Sequence, residues 1–376
     1  MLTVASYVSP ENDYSLNNRE ELRKSYDSLR PDPLVSAVFG NFNGRRFLRN
    51  CFNSLENQSY SNLETIFVDD ESTDGSSGFV SQNFPRVTVI QNRRNEKGFA
   101  ACCDAGARIA RAEYLLFLNV DIELDLNCIR YLVRRMLSDP SIGVCGPRLL
   151  SLNDKRKLVS AGGLLDIFGF GMDRGLDEFD NGRFSRSEQV SFITGAVVLV
   201  RRDALIAAGG WDIDTFTYAE DSDLCWRILL KGYRVVYEPT SIAFHFHSPS
   251  MGRASPRKIY FMDRNRLTSM IKNYSLPTLM GVMPGWIVIA TARILYFSAR
   301  RRMDIVRASA RAYTVCTRFS RCSGTGRAAG GVDRNPRETR QWQVATRSEA
   351  AASGRDPWGR PSAASPPLGC SSPSGV

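Results

Sequence analysis

The feature that most constrains the fold is an alternation of short apolar runs with helical patterns between residues 34 and 137. Four runs have the length and composition of strands: Val35–Phe39, Glu64–Val68, Val87–Ile90 and Tyr114–Leu118. Helical patterns lie between and after them, at Arg45–Asn57, Phe99–Ala110 and Leu126–Leu137. Because the runs are continuously apolar, both faces of the strands are expected to be covered. The pattern predicts an α/β fold with a mostly parallel, Rossmann-like sheet flanked by helices.

The chain after residue 142 shows a more mixed pattern. Strands are predicted at Val190–Val200 and Arg234–Tyr237, and a helix at Ala219–Lys231. In open parallel sheets, ligands bind at the carboxyl ends of the strands. Acidic residues follow two of those ends, at Asp69 and Asp121. These two carboxylates are the first indication of a functional site.

Composition divides the chain into four segments. We predict a polar N-terminal extension (1–33), a globular domain (34–275), an apolar and basic helical segment (276–316) and a disordered tail (317–376). The tail has one leucine and neither lysine nor isoleucine, so it cannot bury enough apolar surface to fold. It carries nine arginines and four acids, hence +5 of the total net charge of +10. Such a balance suits work near anionic lipid or phosphate groups and does not by itself indicate nucleic acid.

Compartment and membrane contact are predicted from three features. The nine cysteines lack metal-site spacing, which indicates reduced thiols. The first thirty residues contain no signal-peptide core, so a cytoplasmic location is expected. Leu276–Phe297 is the most apolar stretch, but prolines, glycines and Arg293 interrupt it, and Arg300–Arg302 follow. This favours a helix lying on the cytoplasmic face of a membrane, with a spanning helix as the alternative.

Six motifs occur in a fixed order along the chain. They are VSAVFGNFNG (35–44), FVDDESTDGSS (67–77), NRRNEKGFAACCDAG (92–106), EYLLFLNVDIEL (113–124), ITGAVVLVRRDAL (193–205) and GGWDIDTFTYAEDSDLCWRILLKGYRVVYEP (209–239). The order and spacing resemble those of the family 2 glycosyltransferases, nucleotide-sugar enzymes with the GT-A fold, most closely their rhamnosyltransferase-like branch. The resemblance covers about residues 34–275. It implies a nucleotide-binding half (34–125) and an acceptor half (126–275).

The resemblance implies that Asp69 contacts the nucleoside. A carboxylate at a strand end can accept hydrogen bonds from a base N–H or a ribose hydroxyl. The alternative is a turn carboxylate that caps the loop Ser72–Gly75. Further nucleotide contacts are assigned to Asn41, Gly98 and Asn119. Arg264, on a probable helix, is assigned to the diphosphate because arginine matches phosphate geometry, with a solvated helix face as the alternative.

Asn119-Val120-Asp121 occupies the position of the family's DXD motif. Asp121 is therefore the predicted ligand of Mg²⁺ or Mn²⁺, hard cations that also bind the donor diphosphate. Asn119 replaces the first acid of the motif. His245 is placed near the metal by resemblance, and His247 shares its face of a strand. The alternatives are a strand-end turn at Asp121 and a pair of hydrogen-bonded imidazoles.

Asp221, in Glu220-Asp221, resembles the catalytic base. Inverting transfer needs one carboxylate to take the proton of the acceptor hydroxyl. The alternative is that acids in a first helical turn simply interact with the helix dipole. Glu220 and Trp211 are assigned to the acceptor side, although a tryptophan in such a position is more often packed.

The sequence therefore predicts an inverting, metal-dependent transferase. Its donor would be a nucleoside-diphosphate sugar, dTDP-rhamnose or a UDP-sugar, and its acceptor a saccharide or lipid-linked saccharide. No specific nucleic-acid partner is expected. Two alternatives stay open: a sugar-phosphate nucleotidyltransferase, and a catalytically degenerate sugar-nucleotide fold whose basic tail binds anionic partners.

Overall fold

The structure, a computed structural model, describes residues 32–92, 97–246 and 255–322, with side chains described as far as residue 314. The helices are α1 (Leu48–Glu56), α2 (Ser76–Asn83), α3 (Phe99–Ile109), α4 (Cys128–Ser138), α5 (Arg202–Ala207), α6 (Glu220–Leu230), α7 (Pro256–Asn273), α8 (Leu276–Ala299) and α9 (Met303–Cys322). The strands of the first half are β1 (Val35–Asn41), β2 (Leu63–Asp69), β3 (Thr88–Gln91), β4 (Tyr114–Asn119) and β5 (Ile122–Leu124). Those of the second half are β6 (Ile142–Ser151), β7 (Leu158–Ser160), β8 (Gly163–Leu165), β9 (Gly171–Asp173), β10 (Glu188–Gln189), β11 (Val197–Arg201) and β12 (Arg234–His245).

One ten-stranded sheet carries the fold, in the order β10-β12-β6-β11-β4-β1-β2-β3, with β5 added to β12 and β7 to β6. Strands β3, β2, β1 and β4 are parallel. Strand β11 runs antiparallel to both β4 and β6, and β12 runs parallel to β6. The carboxyl ends of β1, β2, β4, β6 and β12 therefore lie at one edge, together with the amino end of β11. The predicted mostly parallel sheet is confirmed.

The core lies on both faces of the central strand β4. Leu115, Leu116, Phe117 and Leu118 are all 0% exposed. Alternate residues of this strand belong to two separate apolar clusters, one on each side of the sheet. This double burial is why the strand is apolar without alternation, as the sequence predicts.

The second half differs from the prediction in its details. Strand β11 begins at Val197, and residues 190–196 before it contain only an isolated bridge at Phe192, followed by a turn at residues 195–196. Strand β12 continues past its predicted end to His245, which places that imidazole at the carboxyl edge. Strand β6 and the hairpin β8–β9 were not predicted from the sequence. Strand β6 is interrupted by glycine and proline, which weakens its apolar pattern.

The C-terminal helices α7, α8 and α9 pack on one another beside α6. The predicted apolar helix is present as α8, which is continuous through Pro284. Helix α9 continues to Cys322, five residues past the predicted start of the tail at Thr317. The predicted N-terminal extension up to residue 31, the tail after residue 322, and His247 lie outside the described residues.

Substitution of a central β4 residue tests the packing of this sheet. Leu116→Ala should lower the free energy of unfolding by about 2–5 kcal/mol, because it removes buried methyl groups and leaves a cavity between fixed neighbours. Ile206→Ala is the control, since Ile206 is 67% exposed. Chemical denaturation of both variants measures the difference. An equal loss in the two variants would contradict this assignment of the core.

Candidate functional site

The polar residues predicted to bind a nucleotide meet at the carboxyl edge because of strand register. Asn41 and Asp69 are the last residues of β1 and β2 and are directly paired. The Asn41 amide donates to Asp69 Oδ1 at 2.8 Å and to Ser72 Oγ at 3.0 Å. The structure therefore brings these two predicted residues into direct contact.

Asp69 is 1% exposed and organises the loop that follows β2. Its Oδ2 accepts from the Ser72 N–H at 3.1 Å, and its Oδ1 accepts from the Ser72 hydroxyl at 2.6 Å. This geometry is the turn-capping role that the sequence analysis gave as the alternative. A nucleoside contact by Asp69 remains a prediction. In that role, this buried carboxylate would form the bottom of the site that binds the base.

The neighbouring carboxylate, Asp70, connects this loop to α3. Its Oδ2 accepts from the Gly98 N–H at 2.9 Å and its Oδ1 from the Asn92 amide at 2.8 Å. Burial raises the pKa of Asp70, and these hydrogen bonds oppose the rise. A side chain at Gly98 would meet the Phe216 carbonyl oxygen at 2.2 Å, and its φ is +97°. Only glycine lets the backbone before α3 approach the 216 loop this closely.

Asp121 and His245 form the centre of the predicted metal site. Strand β5 pairs antiparallel with β12 so that Ile122 lies opposite His245. This places His245 Nε2 3.3 Å from Asp121 Oδ1. The Asp121 and His245 side chains are 21% and 15% exposed, so both reach the open edge of the sheet. Asn119 ends β4 beside them, and its N–H is bonded to the Ala196 carbonyl.

The donor set at this edge fits a hard or borderline divalent cation. A carboxylate oxygen and an imidazole nitrogen suit Mn²⁺, and the remaining positions of its shell are those that diphosphate oxygens and water commonly occupy. Within the described ranges, no group of three or more His, Cys, Asp or Glu side chains has metal-binding geometry. Among the described residues, Asp121 and His245 are the two that would act as ligands here, and a donor diphosphate would complete the shell.

Asp221 lies in the first turn of α6 and is fixed by two backbone amides. The Gly195 N–H donates to its Oδ2 at 2.8 Å, and the Ser222 N–H donates to its Oδ1 at 2.7 Å. Gly195 lies two residues before β11, whose amino end is paired with Leu118 at the carboxyl edge of β4. Burial raises the pKa of Asp221 above the ordinary aspartate range, and the two amides oppose the rise. A raised pKa improves a carboxylate as a proton acceptor.

Glu220 is 7% exposed, and its Oε2 accepts no hydrogen bond from the described residues. Burial, and next the nearby charge of Asp221, raise its pKa well above the ordinary range. A buried glutamate beside a second carboxylate is most stable in its neutral form. The two neighbouring acids therefore have different environments: backbone amides position the Asp221 carboxylate, whereas the Glu220 carboxyl group is buried.

The loop before α6 has a strained backbone that α7 holds in place. Phe216, Tyr218 and Ala219 all have φ between 63° and 65°, a conformation that L residues rarely adopt. The side-chain amide of Asn265 on α7 lies 2.6–2.9 Å from three carbonyl oxygens of residues 215–218. This role of Asn265 was not predicted, because a single asparagine in a helix gives no indication in the sequence of which residues it contacts.

Arg264 is bonded to the same loop. Its Nη2 donates to the carbonyls of Asp214 and Thr215, each at 2.8 Å. The observed contacts are therefore with the loop backbone, and a diphosphate contact by Arg264 remains a prediction.

Trp211 is buried rather than presented to solvent. It is 1% exposed, and Phe117 and Phe99 meet its ring edge to face at centroid distances of 5.0 and 6.0 Å. This burial favours the packing interpretation over stacking on an acceptor sugar.

One acidic residue near the base was not identified from the sequence. Asp173 ends β9 directly opposite Gly163 of β8, and Gly163 in turn bridges to Phe192 in the segment that leads to Gly195. The Ser160 hydroxyl donates to Asp173 Oδ1 at 2.7 Å. Burial raises the pKa of Asp173 to about 6; the charge of Asp221 adds to the rise, and His245 and Lys258 oppose it. Only the fold brings this hairpin to the site, since 48 residues separate Asp173 from Asp221 along the chain.

Comparison with known proteins agrees with the predicted fold. Residues 36–209 match the model of glycosyl transferase family 2. The chain is 23% identical over 260 residues to a poly-β-1,6-N-acetyl-D-glucosamine synthase of Staphylococcus aureus, covering 65% of this chain and 57% of that protein. It is 27% identical over 236 residues to a pre-mycofactocin glycosyltransferase of Mycobacterium tuberculosis, covering 62% of this chain and 46% of that one. The chain thus spans about half the length of the curated relatives it matches.

A solved structure of GalNAc-T7 with UDP, GalNAc and Mn²⁺ superposes with a TM-score of 0.51 at 17% identity, over 64% of this chain and 48% of that one. At this level of identity the likeness shows the fold alone. Together with the family match, it establishes that the chain has the GT-A fold, as the sequence predicts.

The environment of Asp173 predicts how the free energy of unfolding depends on pH. The folded state raises this pKa from 3.8 to about 6, so the folded protein binds the proton more tightly than the unfolded chain. The associated stability is present below the unfolded pKa and is lost as the pH rises through the folded one. Asp173→Asn should therefore stabilise the fold by about 1–3 kcal/mol near neutral pH and by much less near pH 4.

Urea denaturation at the two pH values measures this difference. Asp203→Asn is the matched control, because Asp203 is exposed at the opposite edge of the sheet, next to β11's carboxyl end. A stability gain from Asp173→Asn that is the same at both pH values would contradict the proposed environment.

Proposed function

We propose that this protein is an inverting, metal-dependent glycosyltransferase. The observation that supports it most directly is the position of Asp221, held by two backbone amides at the same sheet edge as the Asp121–His245 pair. A base and a cation site that share one open edge suit a reaction in which an acceptor is deprotonated while an anionic group departs. The family match and the glycosyltransferase relatives support the same class of reaction.

In the proposed step, Asp221 takes the proton of an acceptor hydroxyl. The acceptor oxygen forms a bond to the anomeric carbon of the donor, and the bond from that carbon to the diphosphate oxygen breaks on the opposite face. The hydroxyl proton goes to the Asp221 carboxylate, and the electron pair of the broken bond leaves with the nucleoside diphosphate. An ordinary aspartate is a weak base, so its raised pKa improves the match to this role.

Asp121 and His245 are the residues that would hold Mg²⁺ or Mn²⁺. A bound cation would supply Lewis-acid stabilisation of the leaving diphosphate. Asn41, Asp69 and Gly98 would line the nucleoside side of the cleft. Glu220, the buried residue that precedes Asp221, is proposed to lie on the acceptor side.

The donor and the acceptor follow from the sequence resemblance and the relatives. The donor is proposed to be a nucleoside-diphosphate sugar, with a UDP-sugar and dTDP-rhamnose as the first candidates. The acceptor is proposed to be a saccharide or a lipid-linked saccharide in cell-surface polysaccharide synthesis. A poly-N-acetylglucosamine synthase among the relatives supports a saccharide acceptor. The proposed location is the cytoplasmic face of a membrane.

Nucleotide release from a panel of UDP-, dTDP- and GDP-sugars tests this proposal. The full chain is incubated with Mn²⁺, using a membrane lipid extract and short N-acetylglucosamine oligosaccharides as acceptors. Release from one donor, abolished by EDTA, is expected. Asp121→Ala should lose metal-dependent donor binding, because it removes the only carboxylate at the proposed cation site among the described residues.

Asp221→Asn should retain donor binding but slow transfer by about 10²–10⁴-fold, since it removes the proton acceptor and preserves the shape of the side chain. Equilibrium donor binding and initial rates measure the two effects separately, and Asp203→Asn is the matched control. Transfer by Asp221→Asn at the parent rate would refute the assignment of the base. Absence of binding to every donor would refute the transferase proposal itself.

A further inference from the structure

Helix α8 has two unlike faces, of which the inner one packs on the protein. Trp286 and Ala290 are buried, and Leu279, Val282 and Met283 pack partly buried against the same cluster. Their spacing of three, four and seven residues is that of one helical stripe. The Trp286 ring meets Tyr313 of α9 edge to face at 5.0 Å. This stripe fixes α8 to α7 and α9.

The outer face of α8 is apolar and exposed. It carries six large side chains that are 50–68% exposed: Leu276, Met280, Ile287, Val288, Leu295 and Tyr296. An ordinary surface helix presents charged or polar residues to water. Arg293 is the only charged residue among the 24 of α8, and it does not lie on this face. The outer face thus has the composition of a surface that is covered by something apolar.

Arg293 points inward to a buried carboxylate. Its Nη1 lies 2.7 Å from Oδ1 of Asp263 on α7, which is 1% exposed. Asp263 also accepts from Arg266 at 2.7 Å and, on α9, from the Ser309 hydroxyl at 2.9 Å and the Tyr313 hydroxyl at 3.2 Å. One carboxylate therefore joins all three helices. Arg266 is itself buried, at 6% exposed.

The same network argues against a membrane span. Helix α7 is part of the catalytic domain, since its Ser269 and Asn273 both donate to Asp223 of α6, at 2.7 and 3.2 Å. A helix that crossed a bilayer would either leave α7 or carry it into hydrocarbon. The first would break the buried Arg293–Asp263 pair, which is strongly destabilising. The second would bury the charged residues of α7 in lipid.

The charge around α8 selects the kind of surface it would contact. Residues 276–314 contain six arginines and a single acid, Asp304, which is bonded to Arg302. Arg300 and Arg301 are exposed at the end of α8, and Arg300 lies 5.1 Å from the Tyr296 ring. Basic residues beside an apolar helix face attract anionic lipid headgroups.

We propose that the outer face of α8 lies flat in the surface of a bilayer that contains anionic lipid, with Arg300 and Arg301 at the headgroups. The helix does not cross the membrane. Helix α7 contacts α8 on one side and, through Asn265, the 215–218 loop on the other. Only α7 would therefore lie between the membrane-bound helix α8 and the loop that precedes Asp221. This deepens the location named in the proposed function and suits an acceptor held at a lipid surface.

Vesicle flotation of the full chain tests this inference. Vesicles of phosphatidylcholine are compared with an equimolar mixture of phosphatidylcholine and phosphatidylglycerol. Binding to the mixed vesicles, weakened by salt, is expected. Val288→Gln/Leu295→Gln should reduce it about tenfold or more, because two apolar side chains no longer enter the interface. Leu126→Gln/Ile206→Gln is the matched control: these residues are 58% and 67% exposed, outside α8, and the variant should bind as the parent does.

Three results would overturn the inference. The α8 variant could bind the mixed vesicles as well as the control variant does. Protein in a cell membrane fraction could resist extraction by alkaline carbonate, which would indicate a span. Light scattering could show an oligomer that only the α8 variant dissociates, which would make the face a protein interface. The flotation assay contains no donor sugar, so absence of vesicle binding would leave the transferase proposal intact. Absence of sugar transfer would likewise leave the membrane proposal intact, because vesicle binding is measured independently of transfer.

Discussion

The rest of the structure depends on the shared direction of β1, β2, β4 and β12, which brings their carboxyl ends to one edge. The backbone register, rather than any single side chain, places Asn41 beside Asp69 and Asp121 beside His245. The one reversed strand between β4 and β6 matters equally. Because β11 runs the other way, its amino end lies at this edge, and the Gly195 N–H reaches Asp221. A buried apolar sheet thus fixes polar groups that the sequence separates by up to 204 residues.

The loop before α6 has a strained backbone, and residues from other elements hold it in that conformation. Three residues with positive φ lie within the four positions 216–219. Such a backbone persists only where its surroundings determine it. Asn265 and Arg264 of α7 bind its carbonyls, and Gly98 allows it to approach the start of α3. Helix α7 is in turn bonded to Asp223 of α6 and to Arg293 of α8. The C-terminal helices therefore support the loop before Asp221, through α7, as well as the proposed membrane surface.

Sequence reasoning succeeded where the signal is local and continuous. The buried strands β1, β2 and β4 and the apolar helix α8 follow from runs of residues that can be read one at a time. It failed for β6, whose glycines and proline interrupt the apolar pattern, and for Asp173, which reaches the site only through the hairpin β8–β9. It also could not distinguish a buried Trp211 from an exposed one, since both have the same neighbours in sequence. Contacts between residues far apart in the chain leave no periodic pattern in the sequence. The role of a residue such as Asn265 can therefore be recognised only from the three-dimensional structure.

Asp121 and His245 are proposed to hold a divalent cation together with a donor diphosphate. The most direct test is electron paramagnetic resonance of Mn²⁺ titrated into the full chain, with and without UDP or dTDP. The signal of free Mn²⁺ is expected to fall further with protein and nucleoside diphosphate together than with either one alone, because the two proposed protein ligands would bind the Mn²⁺–diphosphate complex. Asp121→Ala should return the signal to the level seen with the nucleoside diphosphate alone. An equal further loss with the parent and with Asp121→Ala would refute the proposed site, as would a signal that the parent protein never lowers below that level.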